Sequence, residues 1–387
     1  MPRTYLDHAA TTPMVPEAIE AMTRELGRTG NASSLHGSGR AARRVVEEAR
    51  EAIAGHVGAH PTELIFTSGG TESDNLAVKG GYWSQAALGR TEIVASAVEH
   101  HAVLDSVAWL AAAAGATAHQ VPVDTTGHLA VAALDDCVTA RTAVVSVMWA
   151  NNEIGTLQPV TEAAERAAEH GALSHSDAVQ AVGHVAFDFG RSGLDLASFT
   201  AHKLGGPYGV GALLARRAVG LTAVLHGGGQ EREVRSGTLD VAAVAGFAAA
   251  VAVAVRRQEQ EEARLRALRD ELIALVLAGV PGAVLYGTAE PGGSLPGVTA
   301  IGFPGCQAES LLLLLDAAGI DCSTGSACSS GVTQPSHVLM ALGAGAEEAR
   351  SALRFSLGHT STSADVAALV AALPEAVRRA RAAAAYA

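Results

Sequence analysis

The sequence of 387 residues is short of lysine: Lys79 and Lys203 are the only two, against 25 arginines. Arginine stays protonated, whereas a crowded or buried lysine can lose its proton, so a lysine kept in this background points to amine chemistry. Cysteine is scarce as well. The four (Cys137, Cys306, Cys322, Cys328) form no CxxC pair and no zinc-ligand spacing, which excludes a zinc ribbon or a CxxC redox site. Excess positive charge is missing too: the net charge is −12 and no long basic block occurs, which argues against a nucleic-acid-binding surface. The longest apolar run, 241–255, is mostly Ala and Val and is short for a membrane span. Residues 1–8 lack the apolar core of a signal peptide, so the expectation is a soluble cytoplasmic protein with reduced thiols. What remains is 49% hydrophobic and 17% charged residues, a globular composition long enough for a large domain and a smaller one.

Lys203 sits in the stretch SFTAHKLGGPYGVG (198–211), a β-prone run followed by a Gly- and Pro-rich turn that lets backbone approach a ligand closely. Before it, residues 5–13 read as a polar turn segment, 16–26 and 40–57 as helices, and 31–39 as a loop. LIFTSGGTESDNL (64–76) is a β run, a glycine turn and a helix start, the combination that aims free N–H groups at an anion. Strands at 93–97, 118–123, 142–150, 173–178, 196–200 and 211–215 alternate with helices at 101–114 and 160–170. Near-continuous apolar strands such as 143–148 indicate a mostly parallel sheet covered on both faces. In such sheets ligands bind at the carboxyl ends of strands. That rule gathers residues 99–101, 151–155, 175–180 and 202–203 on one rim. After a glycine-rich charged loop (226–238), a long helix changes composition near Arg256; strands at 298–303 and 353–357 and helices at 307–318 and 363–373 follow.

The rim motifs together ask for a phosphate, an amine-reactive carbonyl and a buried carboxylate. Pyridoxal 5′-phosphate meets all three: phosphate on the Gly70/Thr71 turn, aldehyde on Lys203, ring nitrogen facing Asp177. The chain closely resembles the cysteine desulfurases of the class V, fold-type-I pyridoxal-phosphate enzymes, and most of all the long-loop subgroup that supplies sulfur for iron–sulfur clusters and thiolated tRNA. Ten ordered motifs carry the likeness: YLDHAATTP (5–13), NASS (31–34), TSGGTES (67–73), EH (99–100), NNEIG (151–155), DAVQ (177–180), HK (202–203), RSGT (235–238), GSAC (325–328) and RFSLG (354–358).

The resemblance implies an α/β fold of the fold-type-I kind. Its large domain, 13–256, would hold a mostly parallel seven-stranded sheet. A smaller α+β C-terminal domain, 1–12 with 257–387, would carry the catalytic cysteine loop. It implies that Lys203 bonds the cofactor and moves the proton, that His100 stacks on the ring, and that Asp177 and Gln180 meet the ring nitrogen and phenolic oxygen, with Asn152 on the same edge. Gly70, Thr71, Thr200 and His202 would hold the phosphate, with Thr238 arriving from a partner subunit of a homodimer. Arg354 would clamp the carboxylate of L-cysteine. Cys328 would take the sulfur as a persulfide, releasing alanine, and pass it to an acceptor or scaffold protein. No metal, nucleic acid or membrane is implied. A selenocysteine lyase, another class V enzyme and a sulfur donor for DNA modification are the alternatives. Cys322 reads as structural, and His101 as a structural neighbour of His100.

Overall fold

The computed structural model describes residues 3–325 and 334–384. Its main sheet has seven strands in the order β2 (Leu64–Thr67), β8 (Gly211–Ala215), β7 (Leu196–Thr200), β6 (Leu173–Asp177), β5 (Thr142–Ser146), β3 (Glu92–Ser96) and β4 (Thr117–Val121). Strand β8 runs antiparallel to both neighbours; the other pairings are parallel. Most of these strands are buried along their whole length, as a sheet covered on both faces requires. The fold is therefore the α/β, mostly parallel arrangement that the sequence leads one to expect.

A second, antiparallel sheet has the order β12 (Ala352–Ser356), β10 (Val298–Gly302) and β9 (Val284–Tyr286). It is built around its own core, with Ile301, Leu353 and Phe355 fully buried. A single helix, Val241–Gly279, serves both cores. Val244, Phe247 and Val251 pack with the main sheet's core, while Leu265, Leu272 and Val276 belong to the second. The change of composition near Arg256 thus falls inside one continuous helix rather than in a linker. An 18-residue window of this helix is long and apolar enough to cross a membrane, but its apolar side packs inside the protein.

Residues 5–13 are more ordered than a turn. Strand β1 (Thr4–Tyr5) pairs in parallel with β11 (Ile320–Asp321), and Leu6 and His8 continue along β12 through the Ser356 N–H to Leu6 carbonyl (2.8 Å) and His8 N–H to Ser356 carbonyl (3.3 Å) bonds. The chain then crosses to the main sheet, where Thr12 N–H reaches the His202 carbonyl and Val15 N–H the Gly205 carbonyl. The period of two in this strap is too short to read from sequence. The last helix, Ser363–Ala384, runs straight through Pro374, where a stop is the sequence expectation. The helix expected over 40–57 begins earlier, at Gly37, capped by the His36 ring.

Candidate active site

Strand β2 ends in the turn Ser68-Gly69, and the helix Gly70–Asn75 starts at once. Two glycines make this turn possible. Gly69 has φ +153°, and a Cβ on Gly211 would lie 2.8 Å from the Gly69 Cα and from the Phe199 carbonyl oxygen. The first-turn N–H groups of this helix have no acceptor within the helix, and Gly70 and Thr71 at its start line a cavity. Glu72 folds back onto Ser68 N–H (2.8 Å) and pairs with Arg235 (2.8 Å), tying the turn to the 226–238 loop.

Strand β7 ends in a 3-10 turn, Ala201–Lys203. It places the Lys203 Nζ at the carbonyls of Ala9 and Ala10 (2.9 Å to the latter), both in the N-terminal strap. Burial, with the Arg354 charge adding to it, pushes the Lys203 amine down to about 8. At the end of β6, Asp177 is 5% exposed and accepts the Val179 N–H at 2.9 Å; burial raises its pKa, opposed by His100 and Lys203. His100 caps the helix His101–Ala114: its Nδ1 accepts the Ala102 N–H at 3.1 Å, so the neutral ring carries its proton on Nε2. Burial lowers its pKa.

Arg354, on β12, enters from the second sheet. It donates to the Asn152 carbonyl and to Asp7 Oδ1, each at 2.8 Å, and its buried Nε has no partner. Gln180 donates to the Ala9 carbonyl at 2.9 Å. His202 contacts Thr11 Oγ1 (3.3 Å) and stacks on Tyr208, while Thr200 Oγ1 donates to the Val210 carbonyl.

One cavity is lined by Gly70, Thr71, His100, Asn152, Asp177, Gln180, Thr200, His202, Lys203 and Arg354 together. Of the expected site residues two are not among them. Thr238 is exposed and lies outside the cavity of its own chain, and Cys328 lies outside the described residues. Ser323 and Gly325, which precede that segment, do line the cavity. Three contributors carry no sequence expectation: Asp7, the Ala9 and Ala10 carbonyls, and Asp74. The signal was present. Asp7 and the two alanines lie within the 5–13 motif, and Asp74 sits three residues after Thr71, on the same helical face. His101 is half exposed and meets His337 edge to face (4.8 Å), so it is no core histidine. Cys322 is buried, its thiol pushed up to about 12.

The sequence matches the aminotransferase class-V family model over residues 4–369. The chain belongs to this family. It is 56% identical over 384 residues to an IscS-like cysteine desulfurase of Mycobacterium tuberculosis (strain ATCC 25618 / H37Rv), covering 98% of each chain. It is 42% identical to a cysteine desulfurase of Cereibacter sphaeroides, over 99% of this chain and 97% of that one. Among solved structures, a NifS-like protein superposes with a TM-score of 0.88 at 33% identity over the full length of both.

The class-V family works with pyridoxal 5′-phosphate, and the fold is that of the fold-type-I enzymes. The cavity fits this cofactor. It offers a primary amine for the aldehyde, a buried carboxyl for the ring nitrogen, and, for the phosphate, the start of the helix Gly70–Asn75 with the Thr71 hydroxyl. It also leaves two buried polar atoms, Asp74 Oδ1 and Arg354 Nε, without partners.

Proposed function

We propose that the chain is a pyridoxal-phosphate-dependent cysteine desulfurase that converts L-cysteine to L-alanine and keeps the sulfur as a persulfide on Cys328. The observation that carries this reading is the convergence of Lys203, Asp177, His100 and Arg354, from both sheets, on one cavity, in a chain so similar to cysteine desulfurases. When bound, the cofactor supplies an electron sink that lets the substrate's Cα–H be removed.

Lys203 would bond the cofactor's aldehyde and afterwards hold the proton at Nζ, a task matched to its lowered pKa. Asp177 and Gln180 would hold the ring's polar groups, with Asn152 and His100 beside the ring, and Gly70, Thr71, Thr200 and His202 would hold the phosphate. Thr238 completes the phosphate site of a second copy, which makes the working unit a homodimer; its exposure away from its own cavity supports this. Arg354 takes the substrate carboxylate, orienting the Cα–H toward Lys203 and the thiol toward the loop that follows Gly325. Cys328 thiolate attacks the substrate sulfur: the S–S bond forms, the C–S bond breaks with its electron pair left on Cβ, and a proton there, with the Cα proton returned from Lys203, completes alanine.

The sulfur passes to an acceptor or scaffold protein, and through it to iron–sulfur clusters or thiolated tRNA. The net charge of −12 speaks against direct contact with nucleic acid. A cytoplasmic setting belongs to the same reading: Cys137, Cys306 and Cys322 are free thiols. We assign the small sheet with the N-terminal strap (1–12 and 257–387) as the unit that carries the Cys328 loop.

The test is Cys328→Ala. The variant keeps the yellow of bound cofactor and loses release of alanine and sulfide from cysteine plus reductant. Sulfide release at the wild-type rate would show that Cys328 is not the acceptor. Capture of acceptors on persulfide-loaded protein then identifies the destination.

A further inference from the structure

Close to Asp177 in the cavity lies a second acid. Asp74 is 1% exposed, lines the cavity, and its Oδ1 has no hydrogen-bond partner. One polar atom each of Asp74, His100 and Asp177 lie within 4.8 Å of one another. No Lys or Arg among the described residues pairs with Asp74 or Asp177. His175 is 3.6 Å from Asp74 Oδ1, but both of its ring nitrogens are occupied by serine hydroxyls, Ser146 at 2.9 Å and Ser198 at 3.0 Å. Lys203 shares the cavity and its charge favours an ionised Asp177, so of two carboxylates this close and this dry Asp177 is the one to stay charged and Asp74 the one to take the proton.

We propose that Asp74 is a second carboxyl of the ring-nitrogen seat, carrying a proton whenever Asp177 is charged, so that the seat keeps one negative charge and can move it from one acid to the other. This rests on the reading of the cavity as a pyridoxal-phosphate site. Burial, the nearby Asp177 charge and the buried Glu99 raise the pKa of Asp74 against a hydrogen bond with Ser198, and burial pushes His175 down to about 3, which leaves that ring neutral. The arrangement has a consequence that a merely structural Asp74 lacks. If Asp177 is made neutral, Asp74 is free to ionise and take its place, so the two residues are coupled and not independent.

Titration of unloaded protein with pyridoxal 5′-phosphate reads this coupling as an affinity. Asp74→Asn weakens cofactor binding by at least tenfold more in the Asp177→Asn background than in wild type. Equal factors in the two backgrounds overturn the proposal. An infrared difference spectrum of wild type against Asp74→Asn gives an independent reading: a protonated carboxyl band is expected, and a carboxylate pair of bands overturns the proposal. Failure of wild-type protein to bind the cofactor sinks the site's functional reading instead, and the infrared band of the unloaded protein still decides the state of Asp74.

Discussion

Covalent capture of the cofactor by Lys203 should be fast at neutral pH and should report the lysine's surroundings directly. The attacking species is the neutral amine. With its pKa pushed from 10.5 to about 8, chiefly by burial, roughly one Lys203 in ten is neutral at pH 7. An unperturbed lysine would be neutral in roughly one case in three thousand, so the fold is worth about 300-fold in reactive amine. Mixing unloaded protein with pyridoxal 5′-phosphate in a stopped-flow absorbance experiment measures the capture rate. It should climb about tenfold per pH unit below 8 and level off above. The charged neighbours set the position of the break. Arg354 lowers the lysine's pKa and Asp177 raises it, so Arg354→Leu should move the break up and Asp177→Asn should move it down. A wild-type rate that keeps rising tenfold per unit through pH 10 would place the amine at its ordinary value and refute the reasoning.

Asp7→Ala removes the partner of a guanidinium whose side chain is 6% exposed, and should cost about 3 kcal/mol in chemical denaturation, partly recovered by adding alanine, whose carboxylate can take the vacated place. Wild-type stability in that variant would mean the pair contributes nothing. Gly211→Ala forces a Cβ to within 2.8 Å of the Gly69 Cα; it should cost about 1–3 kcal/mol and weaken cofactor affinity severalfold in an equilibrium titration, because the phosphate turn must shift. Ser336→Ala loses the cap on Leu339 N–H (3.1 Å) and the bond to Glu153, and a drop of about 1 kcal/mol in thermal or denaturant unfolding is expected.

The parts of the fold that were legible are those with a strong local period. The buried strands β5 and β8 announce themselves as apolar runs, and the helix His101–Ala114 begins at a ring that caps it. Most residues around the cavity were legible because they sit just past a strand's carboxyl end or at a helix start, where chemistry concentrates; Arg354, in the middle of β12, is the exception. What stayed hidden was relational. Nothing in residues 4–12 says that they bridge two sheets, since strand β1 is two residues long and its partner is more than three hundred residues away. Asp74 reads as one more polar residue of a helix; only the sheet places it next to Asp177 and His175. The long helix conceals its double duty because the composition break at Arg256 looks like a boundary and leaves the backbone untouched.

The strap and the Arg354 contact also impose a schedule on synthesis. Arg354 bonds Asp7, 347 residues earlier, and the Asn152 carbonyl, 202 residues earlier. At roughly 5–20 residues per second, a ribosome makes Arg354 some tens of seconds after Asp7. The groups at the phosphate and ring end, Gly70 through Lys203, are all translated before the guanidinium at the other end exists. A nascent chain halted before residue 350 therefore has the Gly70 to Lys203 groups but neither of the Arg354 contacts that join the two sheets. Under the proposed function, the group that takes the substrate carboxylate is the last part of the site to be made.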